Sequence, residues 1–347
     1  MNRNYGLDLS KIFAMFLIIL SHILYPGGVM ESIVDIDRFV ILNIFRILSL
    51  SCINIFALAT GYLSINKTSI KTSKIIKLLI NVMFYSVFIT LIIILINPNK
   101  ITINYIIKSI DIGSYWYLKA YVALYLLLPF INKLIRSISI KEYKIIIYIL
   151  LFLSFFPFDY FGFNYGYSVW WLIVMYLLGG FIKKSMIIPK KRITLILIIN
   201  IFIMEVVNVV FFKTQNSVIK YVSNYLYSYT CPLIVGNSII IFLLFKDIII
   251  KNEIITKIIS FISPSVFYVY IIHFQYVFAW EYFINRFKIL NSFNIALELL
   301  YIFFIMLFIF IVCIIIDKIK DKIFKFIGIE KIIIKICKKF DFQITLD

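Results

Sequence analysis

The chain has 347 residues, of which 63% are hydrophobic and 15% are charged, and its formal net charge at pH 7 is +18. Soluble domains are about half apolar and about a quarter charged, so this composition excludes an ordinary soluble globular protein. The positive charge does not indicate nucleic-acid binding, because the lysines and arginines lie between apolar blocks rather than on one face of a recognition element.

Ten apolar segments are long enough to cross a bilayer, which takes about 20 residues per helix. We therefore predict an all-α integral membrane protein with about ten transmembrane helices in one bundle. A further helix over residues 251–262 is expected to lie at the membrane interface. The ten expected segments cover residues 8–26, 38–63, 74–96, 115–135, 143–161, 165–183, 192–212, 227–246, 264–284 and 294–317.

The basic residues also predict the orientation of the bundle. Most of the 35 lysines and arginines fall on one side of the membrane when the N-terminus is placed in the cytoplasm, as the positive-inside rule requires. We therefore expect cytoplasmic termini, a transmembrane domain over residues 1–320 and a basic amphipathic tail over residues 321–347. That tail should lie on the inner leaflet. The expected location is the plasma membrane of a bacterium.

The first segment carries one of the chain's two histidines, His22, and the ninth segment carries the other, His273. An ionisable side chain inside a bilayer is costly and therefore indicates function. Imidazole is also the side chain best suited to proton transfer near neutral pH. Lys11 lies eleven positions before His22, so on a helix the two face nearly the same way, about 16 Å apart along the axis. With Asp8 they form a polar stripe from the cytoplasmic surface into the membrane.

Four stretches of the sequence resemble motifs of the membrane acyltransferase-3 family. Leu7–His22 resembles the family's first helix, which has an Arg, ten residues and then a His, with Lys11 in place of the Arg. The other three, in the family's order, are Asn54–Tyr62 (usually ending Ser-Gly-Tyr), Tyr115–Asn132 (Trp-Phe/Tyr…Tyr…Pro-Phe-x-Asn) and Ser263–His273 (Tyr-x-x-His). The resemblance covers nearly the whole chain.

The resemblance implies an enzyme that transfers an acyl group, usually acetyl, from cytoplasmic acyl-CoA to a hydroxyl group of an extracytoplasmic glycan or glycolipid. His22 could act as the base that takes the hydroxyl proton, or as a nucleophile that briefly carries the acyl group. The residues do not separate these two mechanisms. His273 either supports the site through a hydrogen bond or takes part in catalysis. Lys11, the third catalytic candidate, is expected to orient the donor or to pair with Asp8.

Coenzyme A carries several phosphate charges, so its site needs cations at the inner face of the membrane. Lys74 and Lys77 begin the third segment on one face of the helix, where the family often has Arg-x-x-Arg. We expect these two lysines and Lys11 to bind the donor. The alternative is that Lys74 and Lys77 only mark the cytoplasmic side of the membrane.

Aromatic residues cluster at the outer end of the fourth segment. Trp116, Tyr117 and Tyr121 are expected either to stack on the sugar rings of the acceptor or to belong to an interfacial aromatic belt. Three ionisable residues in or near the apolar segments remain unassigned: Glu205, Arg46 and Glu281, the last being either the partner of Arg46 or a proton relay.

No metal site or disulfide framework is predicted. The expected partners are membrane lipid, acyl-CoA, a cell-surface or lipid-linked glycan, and components of a polysaccharide synthase. Two other interpretations remain open. A lipid or glycan transporter or flippase would also carry buried ionisable residues, and a scaffold protein would use them only for packing.

Overall fold

The computed structural model describes residues 3–98, 102–156, 159–185, 193–337 and 342–343. Several basic residues on which the orientation was predicted lie outside this part of the chain, namely Lys100, Lys190, Lys191, Arg192, Lys338 and Lys339.

The described residues form an almost entirely helical protein. Helices begin at typical capping residues: Asn4, for example, accepts a hydrogen bond from the backbone N–H of Leu7 at the start of the first helix. The first eight helices are α1 (Tyr5–Leu24), α2 (Ile36–Ser49), α3 (Cys52–Ser64), α4 (Thr72–Ile96), α5 (Ile103–Ile110), α6 (Trp116–Ser137), α7 (Ile140–Ser154) and α8 (Val169–Ser185).

The second half of the chain continues in the same way. A two-stranded antiparallel sheet joins β1 (Ser69–Ile70) to β2 (Phe342–Gln343), with Ser69 opposite Gln343. The remaining helices are α9 (Ile193–Thr214), α10 (Ser217–Leu226), α11 (Pro232–Lys246), α12 (Glu253–Ile262), α13 (Val266–His273), α14 (Tyr276–Phe278), α15 (Ile295–Ile327) and α16 (Ile329–Cys337).

The all-α membrane class is confirmed. Within the described residues, seven helical stretches are long and apolar enough to cross a membrane: α1, α2 with α3, α4, α6, α9, α12 with α13, and α15. The other three predicted segments contain the shorter helices α7, α8 and α11. All ten apolar segments are therefore at least partly helical.

Two of the predicted segments are not single regular helices. The second segment is divided at Leu50 and Ser51 into α2 and α3. The ninth is interrupted after His273, and a π-helix over Ala279–Phe283 follows the short α14. The helix predicted over residues 251–262 is present as α12, which continues through a 3-10 turn into α13 and with it forms one of the seven stretches long enough to cross a membrane. The interruption leaves His273 as the last residue of its helix.

Helices α3 and α8 cross with their backbones in direct contact. A Cβ atom at Gly61 would lie 1.9 Å from the carbonyl oxygen of Tyr176, and one at Gly179 would lie 2.1 Å from that of Leu58. Small residues allow this approach between helices in a membrane. The Gly of the Thr60-Gly61-Tyr62 sequence is therefore required for packing.

Helix α15 continues through the predicted domain boundary at residue 320 and is buried there. Lys320 is 2% exposed, its Nζ lies 3.2 Å from Oδ1 of Asp317, and it faces the rings of Tyr85 and Tyr268. The hydroxyl of Tyr85 donates to the same carboxylate. Oδ1 of Asp321 also lies 2.7 Å from this Nζ, so two carboxylates and the aromatic faces together compensate the burial of the ammonium. The predicted boundary at residue 320 therefore falls inside a continuous helix, and one side of that helix is buried at Lys320 and Phe324.

Candidate active site

The two histidines, far apart in the sequence, are in direct contact. Nδ1 of His22, on the last turn of α1, lies 3.0 Å from Nε2 of His273 at the end of α13. The His22 ring also stacks on Phe274, with 3.9 Å between ring centroids. Their shared hydrogen bond therefore joins the two helices at one point.

The hydrogen bonds define which nitrogen of each ring carries a proton. Nδ1 of His273 lies 2.6 Å from the carbonyl oxygen of Val269, so it donates to that oxygen. Its Nε2 is then a lone pair that accepts from Nδ1–H of His22. Nε2 of His22 is left as a lone pair, and among the described residues none forms a hydrogen bond with it. This arrangement prepares His22 to accept a proton at Nε2.

A second link between the same helices lies near the beginning of α1. Oδ1 of Asp8 accepts a hydrogen bond from the hydroxyl of Ser263 at 2.8 Å. The same carboxylate pairs with Lys11 at 3.6 Å and with Arg3 at 2.6 Å. Asp8 therefore fixes α1 relative to the turn that precedes α13, and the predicted pairing of Lys11 with Asp8 is present.

His22 lines a cavity of about 480 Å³, which we call the histidine cavity. Three of the lining residues are exposed at its mouth, and one of them, Tyr25, directly follows α1. About half of the lining residues are aromatic, and among the described residues that form the wall there is no Asp, Glu or Lys. Its aromatic members are Tyr25, Phe56, Trp116, Tyr117, Tyr167, Tyr227, Tyr229, Phe267, Tyr270 and Phe274.

A second cavity, of about 340 Å³, lies at the end of the bundle where α1 begins. We call it the lysine cavity, because Lys11, Lys67 and Lys74 line it. A neighbouring cavity of about 320 Å³ shares Lys67 and Lys74 and adds Lys71. Partial enclosure of the Lys67 ammonium and repulsion from Lys74, Lys11 and Lys183 lower its pKa. An anion bound in this cavity would relieve that repulsion.

The histidine and lysine cavities are adjacent. Phe56, Tyr117 and Phe267 line both of them. His22 and Lys11 belong to different cavities on the same side of α1, which agrees with the helical spacing predicted from the sequence. These three aromatic side chains therefore lie where the two cavities meet.

The loop that carries Lys67 is held in place by Asn132. Its Nδ2 donates to the carbonyl oxygens of Ser64 and Lys67, at 2.8 and 2.9 Å, and its Oδ1 accepts from the hydroxyl of Tyr176 at 2.7 Å. Asn132 is fully buried. The Asn of the Pro-Phe-x-Asn motif thus shapes the lysine cavity and does not enter it.

Comparison with known protein families identifies the chain. Residues 4–318 match the family model described as an acyltransferase domain, which is most of the chain. The protein belongs to the membrane acyltransferase-3 family. A search of curated proteins and a search of solved structures found no match. The family match confirms the resemblance based on motifs and favours an acyltransferase over a transporter or a scaffold.

The predicted site residues of this acyltransferase fall into two groups. Trp116 lines the histidine cavity, Tyr117 lines both cavities and Tyr121 lines the lysine cavity. All three therefore line cavities inside the bundle. Lys74 lines the lysine cavity, but Lys77, one turn later, lines neither cavity.

Arg46 is the important residue that sequence reasoning left unassigned. It lines the histidine cavity of the acyltransferase, and its guanidinium carbon lies 3.5 Å from the ring centroid of Tyr227 and 5.2 Å from that of Tyr25. The suggested pairing with Glu281 is wrong, because among the described residues no carboxylate lies within ion-pair distance of Arg46. The signal was an arginine inside an apolar segment, but the sequence could not show what it faces.

In the part of the acyltransferase that the structure describes, no group of three or more His, Cys, Asp or Glu side chains could hold a metal ion. The groups that line the two cavities and could take part in chemistry are His22, which His273 contacts, the lysines of the lysine cavity and Arg46.

Proposed function

We propose that this acyltransferase moves an acyl group, acetyl, from cytoplasmic acyl-CoA to a hydroxyl group of an extracytoplasmic glycan or glycolipid. The observation that carries the proposal is His22, hydrogen-bonded to His273, in a cavity that shares aromatic walls with a basic cavity. In this proposal the enzyme works in a bacterial plasma membrane with cytoplasmic termini. Components of a polysaccharide synthase supply the acceptor.

The lysine cavity is the proposed site of the donor's phosphates. Lysine binds phosphate as a point charge, and the mutual repulsion in this cluster favours an anion there. The pantetheine arm of CoA is a narrow, flexible chain. It would pass between Phe56, Tyr117 and Phe267 and bring the thioester into the histidine cavity. The axial distance of about 16 Å between Lys11 and His22 separates the two ends of this path.

In the proposed reaction His22 acts as the general base. Its Nε2 takes the proton of the acceptor hydroxyl while the hydroxyl oxygen bonds to the thioester carbonyl carbon. The carbon–sulfur bond then breaks, and the imidazolium gives the proton to the departing thiolate, which leaves as free CoA. The hydrogen bond from Nδ1–H of His22 to His273 stabilises the imidazolium and keeps its ring oriented. If His22 instead carries the acyl group, the same Nε2 lone pair is the nucleophile.

The direct test is mass spectrometry of cell-surface glycans from cells with and without the protein. Acetyl transfer adds about 42 Da to each modified sugar, the mass of C2H2O. We expect this increment to disappear when the gene is deleted and to return with the wild-type protein. Glycans with unchanged mass but reduced amount at the surface would contradict the enzyme proposal and support a transporter.

The lysine cavity gives a second prediction. Replacing both Lys67 and Lys74 by Gln should raise the KM for acetyl-CoA by about tenfold or more, because two charge-assisted contacts to phosphate are lost. The turnover number should change much less. The effect should shrink as salt concentration rises, because salt screens the interaction in the wild-type protein. The measurement is release of CoA thiol by the purified protein in proteoliposomes.

Lys141→Gln is the matched control for this experiment. Lys141 is exposed at the start of α7 and lines neither cavity. Its replacement removes the same charge, so it should leave the KM unchanged. Equal effects of the Lys141 and Lys67/Lys74 replacements would mean that only the overall charge of the protein matters, and the proposed donor site would be wrong.

A further inference from the structure

Among the described residues that line the histidine cavity, Arg46 is the single Lys or Arg and there is no Asp or Glu. The guanidinium lies over the rings of Tyr227 and Tyr25, and the closer contact is with Tyr227. Such stacking stabilises a cation but does not neutralise its charge.

The nearest acidic group in the same network is engaged elsewhere. Oε2 of Glu205 accepts a hydrogen bond from Nδ2 of Asn43 at 2.9 Å, and Oδ1 of Asn43 accepts from the hydroxyl of Tyr227 at 2.5 Å. These contacts fix the ring on which Arg46 stacks. They leave Arg46 without a paired carboxylate among the described residues.

A charge inside a bilayer is costly unless a partner compensates it. A ligand that fills this cavity displaces water and makes an unpaired guanidinium more costly still. A ligand that brings its own negative charge would compensate this cost. Arginine is suited to this role because its planar fork binds a phosphate or a carboxylate through two parallel hydrogen bonds.

We propose that Arg46 is an anion-binding residue of the acceptor site, and that the acceptor is a glycan carrying a phosphate or a carboxylate near the hydroxyl that is modified. This inference rests on the proposed function of the histidine cavity as the acceptor site. The aromatic wall would pack against the sugar rings, and Arg46 would hold the anionic group. His22 and Arg46 then select, respectively, the reacting hydroxyl and the charge beside it.

Binding of small sugars to the purified protein tests this proposal without requiring acyl transfer. Glucose 1-phosphate, glucuronate and uncharged glucose represent a phosphate, a carboxylate and a neutral sugar. We expect at least one of the two anionic sugars to raise the melting temperature of the wild-type protein, and glucose to raise it less. The anionic sugar that raises the melting temperature more shows whether the acceptor carries a phosphate or a carboxylate. In Arg46→Gln the rise in melting temperature should be smaller, and it should correspond to an affinity for the anionic sugar about tenfold or more weaker than in the wild type.

Two further variants make the result decisive. The lysine cavity also binds anions in our proposal, so the Lys67→Gln/Lys74→Gln protein must retain the shift that Arg46→Gln loses. Arg46→Lys keeps the charge without the fork and should retain part of the shift, which separates anion binding from misfolding. The proposal is overturned if glucose raises the melting temperature as much as the anionic sugars do, or if no sugar raises it. It is also overturned if the lysine variant loses the shift and Arg46→Gln keeps it. The glycan analysis above can fail independently of these outcomes.

Discussion

Replacing His22 with Gln should lower the turnover number for acyl transfer by about 10²–10⁴-fold, the usual contribution of a general acid–base residue. Gln occupies a similar volume and can still donate a hydrogen bond to Nε2 of His273, but it cannot take a proton from a hydroxyl. The KM for acetyl-CoA should change little, because the lysine cavity is lined by other residues. Release of CoA thiol in proteoliposomes measures both constants.

The control for His22→Gln is the folded state of the variant, measured as its melting temperature and its elution as a single species in detergent. Activity within about tenfold of the wild type, in a folded variant, would contradict the role of His22 as base or nucleophile. Trapping of a labelled acyl group on the wild-type protein, absent from the variant, would favour the nucleophile over the base.

His273 provides the companion variant, because it touches His22 rather than the reacting atoms. His273→Phe removes the acceptor for Nδ1–H of His22, so the ring is free to carry its proton on Nε2 instead. That tautomer has no lone pair directed at the acceptor, and we expect the turnover number to fall by about tenfold or more. A purely structural role would not change the tautomer of His22, which nitrogen NMR of labelled histidine reports directly in a chain with two histidines.

Much of the helical framework could be predicted because each apolar segment is long enough to span a bilayer. The interruptions within these segments could not be predicted, because they depend on contacts between segments. The second segment is divided at Leu50 and Ser51 within a continuous run of apolar and small residues. The burial of Lys320 also depends on contacts between segments, because its two carboxylate partners are local but the rings of Tyr85 and Tyr268 come from α4 and α13.

In the candidate site, too, local relations could be predicted from the sequence and contacts between distant segments could not. A helical period of 3.6 residues places Lys11 and His22 on one side of α1, and that relation holds in the structure. The contact between His22 and His273 crosses 251 positions of sequence, so no local pattern can indicate it. Lys67 was recognisable only as one of several loop lysines, and its cavity exists because Asn132 holds the loop.

The second large effect concerns packing. Gly61→Ala should prevent α3 and α8 from approaching, because the new Cβ would lie 1.9 Å from a backbone oxygen of α8. Backbone atoms cannot rotate away as a side chain can, so the helices must separate. We expect a loss of stability of about 3 kcal/mol or more, at the upper end of overpacking effects. The measurement is the melting temperature of the purified protein, together with the fraction recovered as a single species.

Gly236→Ala is the matched control, because Gly236 also lies inside a helix. The nearest atom to its new Cβ is Nδ2 of Asn200 at 3.0 Å, which belongs to a side chain that can move. The intrinsic preference of Ala for helix, about 1 kcal/mol, applies to both variants, so the difference between them isolates the backbone contact. Gly179→Ala should behave like Gly61→Ala, since the contact is reciprocal. If Gly61→Ala and Gly236→Ala have the same melting temperature, the two backbones do not meet at this crossing. The Thr60-Gly61-Tyr62 motif would then need another explanation, because the packing requirement assigned to its glycine would be gone.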